Sequence, residues 1–207
     1  MDAPLPKAPT LKPMTLALAL AGLALTALLP AAFAGLPREY RVWNLSVIGA
    51  LALFAAARLG FWPGLAFTAA AIALKDLSVY LTSNWWEPYP LSWVYFAGYA
   101  LLGWAALRRS ESVGRVAGAA LGASLTFFLV SNFVSWLEQA LPYGYSLQGL
   151  TDCYASAIPF FRGTFLGDVL FAGALFGAHF ALSRAFFPAE RVRPVRAGAE
   201  RAEEQPW

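Results

Sequence analysis

The sequence predicts an all-α integral membrane protein, a bundle of six transmembrane helices with both termini cytoplasmic. Three observations predict it. Of 207 residues, 59% are apolar and only 13% are charged, against roughly 45–50% and 25% in a soluble domain. The apolar residues gather into six stretches, each near the roughly 20 residues that cross a bilayer. The fifteen Lys and Arg residues are distributed lopsidedly between those stretches. With the N-terminus inside, only Arg38, Arg41 and Arg162 fall outside, and Lys75 falls within the membrane. The other eleven lie inside, as the positive-inside rule requires. That asymmetry also accounts for the net charge of +3 without a nucleic-acid partner.

The first span, 14–34, is almost entirely Leu and Ala, and Ala17 and Ala21 stand four apart. Lys7 and Lys12 before the run, and Ala32-Phe33-Ala34 before Gly35, also have the form of a signal peptide with its cleavage site. The second span, 44–59, is short and reads as thin or partly re-entrant. The third, 62–83, tolerates Pro63 in its first turn and carries Lys75 and Asp76 at depth. The fourth, 91–107, has Tyr95, Tyr99 and Trp104 spaced to share part of a face. The fifth, 116–138, contains Gly118-x-x-x-Gly122, then Ser131, Asn132, Ser135, Trp136 and Glu138. The sixth, 164–185, contains Asp168, Gly173-x-x-x-Gly177 and His179. Small residues four apart let helices approach closely in lipid, so the glycine pairs are expected to pack the bundle. Residues 1–187 make one transmembrane domain. The tail 188–207, rich in Pro, Arg and Glu, is expected to be disordered.

Ionisable side chains inside a membrane cost a few kcal/mol, roughly 2.5–3.5 each, and mark functional sites by default. Here they converge on the outer half of the bundle. Neighbouring helical residues point about 100° apart, so Lys75 and Asp76 are expected to take separate partners. Asp76, Tyr80 and Ser83 share one stripe, which would line an outward cavity. Asp168, about 6 Å below the outer end of its span, is within reach of Lys75. That contact would be either a packing ion pair or part of a ligand site. The expected ligand-binding set is Lys75, Asp76, Tyr80, Trp86, Asn132, Trp136, Tyr154 and Asp168. Trp86 and the tyrosines after the fifth span would act as a lid. His179 sits deeper, as a packing group, and Cys153, in an outer segment, as a small apolar residue.

Much chemistry is excluded. One Cys cannot form a disulfide within the chain, and one His cannot build a multi-histidine metal site. No Gly-x-x-x-x-Gly-Lys phosphate loop is present, so energy from ATP would have to come from a partner. Gly122-Ala123-Ser124-Leu125 lacks the Gly-x-Ser-Gly of intramembrane serine proteases, and no His-Glu-x-x-His occurs. Neither an enzyme nor a resident cofactor or metal is expected.

The segments Leu125–Phe133, Trp136, Gly149-Leu150, Cys153–Arg162 and Thr164–Asp168, with Asn44–Phe54, Asp76-Leu77 and Val94-Tyr95 earlier, carry a resemblance. They resemble a bacterial six-span membrane family of unknown function, whose members are described as transport proteins. Lys75 stands where that family usually has Ser, and Val47 where it has Pro. The six-span size and outward site also resemble the substrate-binding (S) components of energy-coupling-factor transporters. That resemblance implies a small-molecule binding subunit in the bacterial inner membrane, taking a vitamin-like, metal or cofactor substrate from outside. It also implies that a membrane coupling subunit docks on Ala17 and Ala21. The alternative is a structural or assembly subunit of a larger membrane complex.

Overall fold

The computed structural model describes residues 12–37, 42–83 and 89–192, and every regular element among them is helical. The six helices are α1 (Pro13–Ala34), α2 (Ile48–Leu59), α3 (Phe61–Ser83), α4 (Leu91–Leu102), α5 (Val113–Leu137) and α6 (Leu147–Ala185). A π-helical turn, Gly103–Leu107, continues α4, and a 3-10 turn, Pro188–Glu190, follows α6. By length and apolarity α1, α3, α5 and α6 are able to cross a membrane, whereas α2 and the α4 segment are shorter.

The centre of the bundle is α2. Residues Ile48 to Arg58 are all buried, and α1, α3, α4, α5 and α6 all touch it. Its sequence, IGALALFAAARL, is apolar on every side, and a helix with no polar face belongs in a core. The stretch expected to be a thin or re-entrant span is therefore the core helix. Its many alanines let neighbours close in. Gly64 of α3 lies on the Ala56 backbone, and Gly103 lies on the Leu53 backbone, where a Cβ would overlap it. Gly60, at φ +109°, makes the one-residue turn from α2 to α3 in a conformation only glycine adopts freely.

The expected glycine pairs do something else. Gly118, Gly122, Gly173 and Gly177 have nothing within 4 Å of where a Cβ would stand. They are exposed on the outer faces of α5 and α6 and do not pack this bundle. The reason lies in the opposite faces: Ser124 and Asp168 are turned inward and buried, which turns the glycines out. Ala17 and Ala21 are likewise exposed on α1. Leu20, Leu28, Leu125, Leu129, Leu166 and Leu170 are exposed as well, an apolar exterior of the kind that lipid or a partner covers.

The last helix begins earlier than its hydropathy suggests. Ser146 caps it by accepting from the Gly149 N–H at 3.0 Å, and its 39 residues reach about 58 Å. Cys153 therefore lies within a helix, buried, with its Sγ 3.4 Å from the Asn132 carbonyl. Asp168 is about 31 Å along the helix from Leu147 and not near its first turn.

One end of the bundle is held by a dense polar network. Arg58, 4% exposed, donates to the Leu107 carbonyl at 2.8 Å and the Ser110 carbonyl at 2.9 Å. These carbonyls lie where the π turn ends, and the Leu107 carbonyl also accepts from the Ser110 N–H at 3.1 Å. The Arg58 guanidinium also sits 4.8 Å over the Phe176 ring, and Lys12 donates to the Arg58 carbonyl at 2.6 Å. His179 packs against Phe54 with ring centroids 5.9 Å apart, so it is a packing group as expected.

The first turn of α1 has no cap of its own at Lys12. Glu190 supplies one from the far end of the chain, accepting from the N–H groups of Met14 and Thr15 and from the Thr15 hydroxyl at 2.6–3.0 Å. Burial alone would raise this carboxyl, but those three hydrogen bonds hold it below the ordinary glutamate range. Residues 188–192, expected to begin a disordered tail, thus close the bundle; the rest of that tail lies outside the described residues.

Candidate functional site

At the other end of the bundle, away from Lys12, Arg58 and Glu190, is a cavity of about 810 Å³. Its walls come from the second half of α1, the 42–49 segment, the later turns of α3, the start of α4, and the middles of α5 and α6. Phe33, Trp43, Tyr95, Phe96 and Phe127 give it an aromatic lining. Such a volume matches small-molecule sites, which run from about 300 to 1,000 Å³.

Asp168 reaches this cavity although it is only 3% exposed. Its Oδ2 accepts from the Tyr99 hydroxyl at 2.8 Å and from the Ser124 hydroxyl at 2.6 Å. Ser124 also lies 2.9 Å from the Ala120 carbonyl, so its single proton is shared between two acceptors. Oδ1 has no hydrogen-bond partner among the described residues. It lies against Gly49, where a Cβ would collide with both Oδ1 and the Tyr99 ring. The carboxylate can occupy this place only because α2 has no side chain there. The wall beside it depends on close approach too: Gly163 and Gly167 lie on the backbone of Trp43 and Ser46. Ser46 in turn accepts from the Ile48 N–H at the start of α2. The Tyr95 hydroxyl is buried without a hydrogen-bond partner among the described residues, although Tyr89 lies close to it.

The eight expected residues separate into groups. Lys75 and Asp168 line the cavity, but they are not paired. Lys75 is paired with Asp76, against the expectation that adjacent residues need separate partners. The flexible lysine stem folds back over its own helix and cancels the 100° between their Cβ directions. Asp76 and Tyr80 are not among the lining residues; the α3 face that lines the cavity is Ile72, Lys75, Val79 and Thr82. That is the expected stripe displaced by one residue, and Tyr80 is turned to the exterior, 42% exposed. Asn132 lines a smaller neighbouring cavity of about 230 Å³ between α5 and α6, with its amide donating to the Phe128 carbonyl at 2.7 Å. Trp136 donates to the Gly144 carbonyl, tying α5 to the loop after it. Tyr154 donates to the Leu129 carbonyl, tying α6 back to α5. Trp86 lies outside the described residues.

Sequence reasoning missed Ser124, Gly49 and the hydroxyl of Tyr99 as partners of Asp168. Tyr99 and Tyr95 had a signal, their shared helical face. Ser124 had one as a lone hydroxyl in an apolar helix. Gly49 had none. Among the described residues no group of three or more His, Cys, Asp or Glu side chains is placed to hold a metal ion.

These features define a class: an all-helical bundle with several helices of membrane-crossing length, wrapped round a buried core helix and enclosing a cavity with a carboxylate in its wall. The chain belongs to the family of unknown function DUF6580, which it matches over residues 7–192. No curated protein and no solved structure matches it.

Proposed function

We propose that the protein is a six-span membrane subunit that binds a small organic molecule, with its termini on the cytoplasmic side and the ligand entering from the outer side. The observation that carries this reading is Asp168: a buried carboxylate in the wall of an 810 Å³ cavity, with one oxygen held by two hydroxyls and the other without a hydrogen-bond partner among the described residues. A carboxylate placed within an apolar helical bundle is costly, about 2.5–3.5 kcal/mol on insertion scales, and marks a functional site by default. The basic residues at the opposite end favour an outward-facing cavity.

Transport follows as the use of such binding. With no phosphate loop in the chain, a partner would supply any ATP-derived energy, and the exposed Ala17 and Ala21 on α1 offer a face for it. Native mass spectrometry of the gently purified protein tests the binding step. The expected result is a co-purified small molecule on the wild type that is absent from Asp168→Asn. Ligand-free spectra for both proteins, with no small organic molecule stabilising the wild type, would sink the reading. A structural or assembly role is the second reading, favoured by the exposed glycine faces of α5 and α6. Recovery of a stoichiometric complex in mild detergent, with the cavity empty, would support that role instead.

A further inference from the structure

We infer that the cavity selects an organic cation, a quaternary or protonated amine carried on an apolar or aromatic body. The inference rests on the cavity being a ligand site, and it starts from the charges that line it. Among the described residues, Asp168 and Lys75 are the charged ones in the lining. Lys75 is already paired with Asp76, so its charge is answered within α3. Asp168 has no cationic partner among the described residues; its neighbours are the Tyr99 and Ser124 hydroxyls. The 2.6 Å contact from Ser124 falls in the range of hydrogen bonds to an ionised oxygen, about 2.5–2.7 Å. Donors directed at a carboxylate favour its charged form. An ionised Asp168 thus puts in the cavity wall a negative charge that no cation among the described residues answers.

The walls point the same way. Phe96 and Phe127 are stacked with ring centroids 5.8 Å apart, and Tyr95 meets Phe127 edge-on at 5.5 Å. All three line the cavity with Asp168. Aromatic faces attract a cation most strongly where water is excluded, and they cover the apolar body of an amine well. The buried Tyr95 hydroxyl adds an oxygen able to accept from an ammonium N–H. The alternatives fit less well. A hard metal ion needs about six oxygen ligands, and the cavity offers one carboxylate. An anion would require Lys75 to leave Asp76 and would still face Asp168.

Three probes of similar size test this: benzyltrimethylammonium, its uncharged carbon analogue neopentylbenzene, and the anion phenylacetate. Their affinities are measured by calorimetry on the full chain in detergent micelles, with thermal stability followed in parallel. The cation is expected to bind at least tenfold more tightly than the neutral analogue, with the anion weakest. Asp168→Asn should remove the preference and leave the neutral compound's affinity unchanged. Should Asp168→Asn not fold, Phe127→Leu serves, and is expected to weaken the cation more than the neutral analogue. Preference for the neutral or anionic probe, or a cation preference unaltered in Asp168→Asn, overturns the inference and leaves the ligand site standing. If none of the three binds at millimolar concentration, the inference is overturned, and the binding function is decided separately by the native mass spectrum of the wild type.

Discussion

The two ends of this bundle use buried charge in opposite ways. At the end holding Arg58 and Glu190, the charged groups are spent on the backbone: Arg58 on two carbonyls, Glu190 on two N–H groups, Lys12 on one carbonyl. Their partners are helix termini, which carry orphan donors and acceptors wherever helices end. At the cavity end the charge sits mid-helix, where the backbone of α6 is already satisfied, and its partners are side-chain hydroxyls from α4 and α5. The first kind of charge replaces something the fold lacks. The second completes no helix end, and one of its oxygens has no hydrogen-bond partner among the described residues. Burial alone does not separate the two, since Arg58 is 4% exposed and Asp168 3%. What separates them is whether the charge completes a helix end.

The contrast breaks most sharply at Arg58. Arg58→Met keeps most of the volume over Phe176 but removes the donor of the Ser110 carbonyl and leaves the Leu107 carbonyl only the Ser110 N–H. A buried orphan costs about 1–3 kcal/mol, so a loss of about 2 kcal/mol is expected in denaturant unfolding in micelles, with ligand affinity unchanged. Asp168→Asn should do the reverse, shifting stability by under about 1 kcal/mol, because an amide oxygen still accepts from Tyr99 and Ser124. Equal losses of stability in the two variants would erase the distinction between the ends.

Glu190 tests the same end more gently. Removing its charge with Glu190→Gln should cost about 1 kcal/mol, the usual worth of a helix N-terminal cap with its dipole contribution. The pH dependence has a definite sign. The folded carboxyl lies below its ordinary value of 4.5, so the ionised form is favoured by folding. Its stabilisation is complete above that value and is lost as pH falls through the lower, folded one. Wild-type stability should therefore fall more steeply than that of Glu190→Gln in acid, and the two curves should converge there. Parallel curves from pH 7 down to pH 3 would mean that the clasp contributes nothing.

How legible these two ends are in the sequence depends on the same physics. The all-helical class and the apolar stretches are plain in hydropathy, because long apolar runs have few other uses. The role of α2 is visible in part, since a helix apolar on all sides has no reason to face water. Its shortness suggests a thin span but does not reveal that other helices surround it. The start of α6 is hidden because Asp152, Ser156 and Arg162 interrupt the hydropathy and Pro159 imitates a break. A start misplaced in this way sets Asp168 in the second turn of its helix, whereas it lies near the middle. Arg58 looks like a loop charge, and nothing local says that two distant carbonyls need it. Asp168 is identifiable by type, as a carboxylate in an apolar helix. Its partners are not, because they come from α2, α4 and α5, whose facing sides only the assembled bundle defines.

The smallest expected effect sharpens the comparison most at the cavity end. Lys75 is half-exposed and paired within its own helix, and such pairs contribute about 0.2–1 kcal/mol. Lys75→Ser should thus leave stability nearly unchanged. Its effect on binding depends on what the lysine does. If Lys75 were the ligand's charge partner, as in an anion site, losing it would weaken binding markedly. If it only neutralises Asp76, its loss leaves a second negative charge beside the cavity. A cation would then bind more tightly, by up to about fivefold if the pair is worth 1 kcal/mol, and the gain would shrink in 1 M salt, where screening shortens to about 3 Å. A salt-sensitive gain for benzyltrimethylammonium in Lys75→Ser, alongside its loss in Asp168→Asn, would assign the two charges opposite roles. Weaker cation binding in both variants would mean that Lys75 helps shape the cavity, and that it belongs with Arg58 among the charges that serve the fold.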